Sequence, residues 1–537
     1  MPVFQSQINP QSEAFKANMA HMREGVQQVR AIEQRVLETA EAKIPRYRKR
    51  GYISPRERLN LLLDPGAPFL ELYNLAGYMQ GNDTDGSAAG GTCIAGIGYV
   101  KGTRCAIYVD DFLTKGGSIT RFGGEKRKNM QTLALLKKMP LIVLAQSAGG
   151  DLREAGEMFG PSGVFFANQA RLSAAGIPQI TVVHGSATAG GAYQPGLSDY
   201  IVMIRRQSTV YLAGPPLLKA ATGEVATDEE IGGAQLHCEV SGVSDYLAEN
   251  DADGIRIARE IVAKLQWNKH IPAAPPREFQ EPVYPPEELI GVVPKDPKIP
   301  YDCREIIARI ADGSDILDFK PEYDSGTVCA FIELHGHACG VIGNNAPITA
   351  NGSAKAGQFM QLCDQSDTPL IFLHNTTGFL VGTEPERLGI IKHGAKMIQA
   401  VTNCTVPKIS VIVGGSYGAG NYAMCGRGMD PDFIFAWPHS VVSIMGPAQA
   451  GSVLRQVAQA RMEKAGQVDE NFLDQIEADT RTAMEERSHA LANTARLWDD
   501  GLIDPRDTRS ILGFALDICR ESEIRKVRTN TFGIARM

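Results

Sequence analysis

The segments "PQITVVHGSATAGGAY" (178–193) and "PKISVIVGGSYGAGNY" (407–422) are built alike. Each begins at a proline, continues as a β-branched run, and breaks into a Gly/Ala/Ser loop that reaches a tyrosine fifteen positions after the proline. Such a run reads as a buried strand closed by a turn, because branched side chains suit a pleated ladder and glycine interrupts it. Two matching copies imply one supersecondary unit used twice.

The correspondence extends outward from these segments. "PLIVLAQSAGG" from Pro140 matches "PLIFLHNTTGF" from Pro369, and both pairs are separated by 229 positions. Upstream, "GTCIAGIGYVKGTRCAIYVDD" (91–111) resembles "GTVCAFIELHGHACGVIGNNA" (326–346) at an offset of 234–235, with the difference assigned to the polar loop "SITRFGGEKRK" of the first half. Downstream, "LAGPP" near Gly214 answers "IMGPA" near Gly446. Helix-like segments such as "KNMQTLALLKKM" and "GQFMQLCDQSD" lie between the strand-like runs. Alternating strand and helix predicts an α/β fold of parallel strand character, present as two tandem domains.

Composition is consistent with this. A chain of 537 residues exceeds one ordinary core. Its 43% hydrophobic and 21% charged residues are the balance of a soluble globular protein. The net charge of -7 leaves a nucleic-acid role without support. No apolar run reaches the length of a membrane span, and Glu13, Lys16, Arg23 and Glu24 occupy the place of a signal-peptide core, so a cytoplasmic protein is expected. The ten cysteines form no C-x-x-C pair and read as reduced core residues. Residues 12–43 are polar and helix-favouring. Prolines crowd residues 271–302, which predicts an extended linker between a domain at 1–270 and a domain at 303–537.

Strand ends that run into helices are where such a fold builds sites. Small side chains let a ligand reach the backbone, and the first N–H groups of a helix have no helical acceptor. These donors, with the positive end of the helix dipole, suit an anionic oxygen. A second donor can come from the neighbouring strand end, "QSAGG" in the first half and "TTGF" in the second. Two converging N–H groups form an oxyanion hole, and the duplicated chain predicts two of them. Two holes suit a reaction in which each of two substrates develops charge on a carbonyl oxygen.

Other side chains carry less. His184, His374 and His393 have no metal-binding spacing and read as structural, and no bound metal is expected. Ser147, Ser186 and Ser416 lack the G-x-S-x-G elbow of a serine hydrolase. Tyr193 and Tyr422 read as packing residues at helix starts. The basic stretch Arg46–Arg50 reads as a solvated face, with contact to a phosphate as the alternative.

The chain resembles the carboxyltransferase β subunit of biotin-dependent acyl-CoA carboxylases, in the branch acting on geranyl-CoA and 3-methylcrotonyl-CoA. The matching stretches include "RERLNLLLDPGAPFLEL", "GSATAGGAYQPGLSD", "GGAQLHCEVSGVSDY", "TTGFLVG", "HGAKMIQAV" and "GGSYGAGNYAMCGR". The resemblance implies two tandem crotonase-like domains (ββα superhelix) and a homo-hexamer within an α6β6 assembly. It implies that the first domain holds the acyl-CoA, whose thioester oxygen meets N–H groups around Ala148, Gly149, Ala189, Gly190 and Gly191. The second domain then holds biotin, whose ureido oxygen meets those of Phe379, Ala419 and Gly420. In this family carboxybiotin releases CO2, the biotin anion takes a proton from the acyl group, and the enolate attacks CO2; for a 3-methyl-2-enoyl thioester the reacting atom is the γ carbon.

The chain has neither a nucleotide-binding P-loop nor a Met-Lys-Met biotinylation site. The resemblance therefore implies a separate biotinylated α subunit with biotin carboxylase and carrier domains. Methylcrotonyl-type subunits usually read "DSGGAF" where this chain has "QSAGGD" (146–151), and favour Cys and Val where Ala187 and Gln194 stand. These departures flank the acyl pocket and favour the longer geranyl-CoA over 3-methylcrotonyl-CoA. A biotin-dependent decarboxylase subunit and a non-catalytic scaffold are the alternatives from other classes.

Overall fold

The computed structural model describes residues 3–272 and 278–536. The chain forms two compact units. One comprises Ala31–Ala273, Ala495–Leu497 and Ile518–Met537, and the other Met1–Arg30, Ala274–Thr494 and Trp498–Asp517.

The first unit carries an eight-stranded sheet in the order β1 (Phe69–Glu71), β2 (Cys93–Val100), β3 (Thr103–Asp110), β4 (Leu141–Ser147), β5 (Gln179–Thr188), β6 (Tyr200–Ile204) and β8 (Tyr246–Ala248). The short β7 (Thr209–Tyr211) pairs in parallel with the end of β5. The second unit repeats the plan with seven strands: β9 (Leu317–Asp318), β10 (Thr327–Leu334), β11 (His337–Asn344), β12 (Leu370–Thr376), β13 (Lys408–Tyr417) and β14 (Phe433–Ala436), with β15 (Val441–Ser443) on the end of β13. Antiparallel hairpins open each sheet and parallel strands complete it. The hairpin turns are alike: Lys101–Gly102 (φ 51° and 72°) and His335–Gly336 (φ 48° and 69°) place both central residues in the left-handed region, as a two-residue type I′ turn requires.

The central strands are continuous apolar runs because both faces of a parallel sheet are covered. Every residue of β4 is buried, and six of the seven in β12. In the first unit Ile107, Val109, Ile142, Leu144, Ile180 and Val182 form the core with Leu59 and Ile255 of flanking helices. In the second, Ile342, Phe359, Phe372, Met397 and Val401 do the same.

The helices Arg121–Leu136 and Ala350–Gln365 are counterparts. Thr120 caps the first by accepting from the Gly123 N–H at 3.1 Å, and Thr349 caps the second from Gly352 at 2.9 Å. Each buries a lysine one turn later, Lys126 and Lys355, whose ammonium groups donate to backbone carbonyls. These matched starts correct the sequence alignment: "ITRFGGEK" belongs to the helix start, and the extra residues of the first half fall upstream in 111–119, against 345–348 in the second.

Outside the repeats, the N-terminal helix runs Glu13–Glu41. The predicted linker is described only in part, since residues 273–277 lie outside the described residues. Its remainder is not simply extended: Leu289–Val292 forms a helical turn whose Leu289, Ile290 and Val292 are buried, so apolar burial there prevails over the extended preference of the prolines. All ten cysteines are free, and all but Cys238 are buried. Among the described residues no helix is long and apolar enough to cross a membrane.

Candidate functional site

Each unit builds the same pair of turns. At the end of β4, Gly149 (φ 89°) turns the chain and donates its N–H to Ser147 Oγ at 3.1 Å. At the end of β12, Gly378 (φ 108°) donates to Thr376 Oγ1 at 3.1 Å. The next residue is held by a parallel bridge. Ile119 donates to Gly149 O (2.8 Å) and accepts from Asp151 N–H (2.9 Å); Ile348 donates to Gly378 O (2.9 Å) and accepts from Leu380 N–H (2.8 Å). Strand alternation then turns the N–H of the bridged residue, Gly150 or Phe379, away from that bridge. Among the described residues neither N–H has an acceptor.

This geometry corrects one expected donor set. Ala148 donates its N–H to Gly117 O at 3.2 Å, and Gly149 is engaged with Ser147, so neither is free for a ligand. Gly150 is the counterpart of Phe379. The repeat "QSAGG"/"HNTTGF" already aligned Gly150 with Phe379, and that alignment was the signal that could have found it.

The second turn follows β5 and β13. Ladder register slips in both: Ala145 faces Val183 but Ser147 faces Ala187, and His374 faces Ile412 but Thr376 faces Ser416. The bulge holds two extra residues and re-aims the strand end, as bulges beside sites do. The chain then enters a helical turn at Ala189–Ala192 in one unit and the helix Gly418–Ala423 in the other. Ala189 and Gly418 both have φ 54°. Glycine adopts this freely, whereas alanine gives up about 1–2 kcal/mol. Gly190 and Gly191, and likewise Ala419 and Gly420, therefore stand at helix starts whose N–H groups have no helical acceptor.

The two turns meet. A Cβ on Gly420 would lie 2.8 Å from Gly378 Cα, and one on Gly191 would lie 3.7 Å from Ser147 Oγ. Gly190 and Gly191 are thus brought together with Gly150 in the first unit, and Ala419 and Gly420 with Phe379 in the second.

In the first unit the meeting point opens on a cavity, and in the second a cavity lies beside the helix start. The first cavity, of about 590 Å³, is bordered by Gly150, Gly190 and Gly191. Its walls are Met158, Phe159, Phe165 and Phe166 of the helix Ala155–Ala174, and Tyr108, Arg127, Gln131 and Gln194 supply polar groups. Gly160 and Gly163 on the same helix leave open space where side chains would project. In the second unit a cavity of 420 Å³ lies against Gly418, Ala419 and Tyr422, walled by Ile412, Ile434, Val442 and Ile444. The 410 Å³ cavity beside Arg56 and Lys126 touches none of these turns.

The remaining candidates are placed as follows. His184 and His374 are fully buried. Burial, with Arg58 nearby, pushes His184 down to about 4, and burial pushes His374 down to about 3. His374 Nδ1 is 2.9 Å from Ser416 Oγ, but both residues are fully buried, so the pair is a core contact rather than an activated nucleophile. Ser186 bonds Thr188, and Ser147 serves the turn. Tyr193 and Tyr422 are 47% and 50% exposed, and the Tyr193 ring packs edge-on against Phe166 with centroids 5.5 Å apart. In the basic stretch Arg48 pairs with Glu57 and Arg50 lies over Tyr47, on an exposed face. Among the described residues no group of His, Cys, Asp and Glu is placed to hold a metal ion.

Comparison with known proteins bears on this arrangement. Residues 46–532 match the carboxyl transferase domain family. The probable biotin-dependent acyl-coenzyme A carboxylase beta2 subunit of Mycobacterium tuberculosis is 45% identical over 538 residues, spanning 100% of both chains. The probable mitochondrial methylcrotonoyl-CoA carboxylase beta chain of Drosophila melanogaster is 41% identical over 556 residues, spanning 100% of this chain and 95% of its own. The crystal structure of the P. aeruginosa geranyl-CoA carboxylase beta subunit superposes with a TM-score of 0.94 at 56% identity, covering 100% of each chain.

Proposed function

The chain belongs to the carboxyl transferase domain family, and from that premise we propose that it is the carboxyltransferase β subunit of a biotin-dependent acyl-CoA carboxylase acting on geranyl-CoA. The observation that carries this reading is the duplicated pair of free N–H donors, one pair opening on a 590 Å³ apolar cavity. That volume is within the range of about 300–1,000 Å³ usual for small-molecule sites.

The acyl role belongs to the unit containing Ala31–Ala273 and the biotin role to the unit containing Ala274–Thr494. The thioester oxygen is received by the N–H groups of Gly150, Gly190 and Gly191. As a proton leaves the γ carbon, the conjugated double bond delivers charge to that oxygen, where donors already in place need no reorganisation. In the second unit the N–H groups of Phe379, Ala419 and Gly420 match the carbonyl oxygen of biotin's ureido ring, and the 420 Å³ cavity beside Ala419 is of suitable size for that ring. Carboxylated biotin, brought by a partner α subunit, supplies CO2 and a base there. No side-chain acid or base of this chain is required, which agrees with the burial of His184 and His374.

Substrate length rests on the tail cavity. Gly160 and Gly163 leave its wall open, and the aromatic side chains around it suit a branched hydrocarbon. Likeness to the geranyl-CoA carboxylase beta subunit supports this choice. A homo-hexamer within an α6β6 complex is part of the proposal, as is a cytoplasmic location, which the ten free cysteines support.

The test is ATP- and bicarbonate-dependent carboxylation by this chain with its biotinylated partner, sized by sedimentation and compared on geranyl-CoA and 3-methylcrotonyl-CoA. The expected result is a higher kcat/KM for geranyl-CoA; a preference for 3-methylcrotonyl-CoA would overturn the substrate assignment alone.

A further inference from the structure

The two donor turns are supported differently. In the second unit the residue at the strand end, Asn375, donates its N–H to Asn344 Oδ1 at 3.4 Å, and Asn344 in turn donates to Met424 Sδ at 3.5 Å. Every member of that set is neutral. In the first unit the same two places hold Gln146 and Asp110, and the Gln146 N–H donates to Asp110 Oδ2 at 3.0 Å. Asp110 also pairs with Arg127, a residue of the acyl cavity wall.

A second guanidinium reaches this place from outside the sheet. Arg58, on the helix Pro55–Leu62, is fully buried. It donates to Gln146 Oε1 at 2.7 Å and to Asp251 Oδ2 at 3.4 Å, with its guanidinium 4.8 Å from the Phe112 ring centroid. Asp251 is held in turn by the Ile53 N–H at 3.0 Å and by His184 and Gln207. Gln146 is therefore gripped at its side chain by Arg58 and at its backbone by Asp110. Four positions later stands Gly150. The Gln146 side chain also fills the space that a Cβ on the bulge residue Gly185 would need, so it joins β4 to the start of the second turn.

Burying an arginine is unfavourable unless its partners are well placed. A strand end of this shape can be held without one, as Asn344 and Asn375 demonstrate. We propose that Arg58 is a positioning residue for the acyl-side reaction: through Gln146 it fixes the Gly150 N–H at the place where the thioester oxygen becomes charged. The inference rests on the acyl-side assignment made above. A displacement of about 1 Å in such a donor lowers rates by about a hundredfold, so a rigid support has a kinetic consequence.

The experiment uses the complete complex with its biotinylated partner and the thioester that the wild-type complex carboxylates. Arg58→Met and Gln146→Leu are each expected to lower kcat at least about tenfold while KM changes by less than about twofold, because the lost interaction acts on the transition state. Arg58→Lys is expected to lie between them and the wild type. Thermal melting establishes folding, and should Arg58→Met fail to fold, Gln146→Leu decides the matter, since it leaves the Arg58–Asp251 pair intact. Unchanged kcat in a folded Gln146→Leu complex would overturn the proposal, as would a rise in KM alone. A wild-type complex inactive on both thioesters would instead overturn the acyl-side assignment, and this inference with it.

Discussion

Gly150 and Phe379 could hardly differ more as side chains, yet they occupy one position of the repeat because only their N–H groups face the site. Gly420 is the opposite case, where the absent side chain matters. A Cβ there would stand 2.8 Å from Gly378 Cα, so Gly420→Ala must push the two donor turns apart. The expected outcome is a kcat lowered at least about tenfold in a complex that still assembles, read by steady-state kinetics beside sedimentation. His374 gives a second prediction at this scale. Burial holds it down to about 3, against about 6.5 in an unfolded chain, so the unfolded state takes up the proton first on acidification. Its stabilising contribution is fully present above about pH 6.5 and is lost as pH falls toward 3. The melting-temperature advantage of the wild type over His374→Gln should shrink between about pH 7.5 and pH 5; a constant difference would contradict this.

At the level of elements, the helix Ala155–Ala174 shapes the 590 Å³ cavity proposed for the acyl tail, and it does so as much by its glycines as by its aromatic residues. Gly163 faces open space, so Gly163→Leu should occupy part of the tail cavity without clashing with the fold. The kcat/KM for geranyl-CoA is expected to fall at least about tenfold, with a smaller loss for 3-methylcrotonyl-CoA; equal losses on both would place the tail elsewhere. The strands were legible from the start: β-branched runs such as "LIVLA" and "ISVIV" are buried on both faces and need no tertiary knowledge to recognise. The bulges at His184–Ser186 and at 413–415 were not, because two extra residues in a ladder are visible only against the partner strand.

For the whole molecule, the duplication was visible in the chain itself. The 229-position register of Pro140/Pro369 and Pro178/Pro407 follows from local residue identity, and two similar segments fold into similar sheets. The candidate helix-start donors were legible for the same reason, since small residues after a buried strand mark a backbone site wherever they occur. Which N–H groups are free was decided only in three dimensions. Ala148 loses its N–H to Gly117, thirty-one positions earlier, and Arg58 reaches Gln146 across eighty-eight positions. Hydrogen-bond partners so distant along the chain leave no local pattern. The sequence by itself thus determined two copies of an α/β unit with glycine turns at their strand ends; the tertiary structure alone decided which of their N–H groups are left without an acceptor, because a donor's availability depends on every acceptor that folding brings beside it.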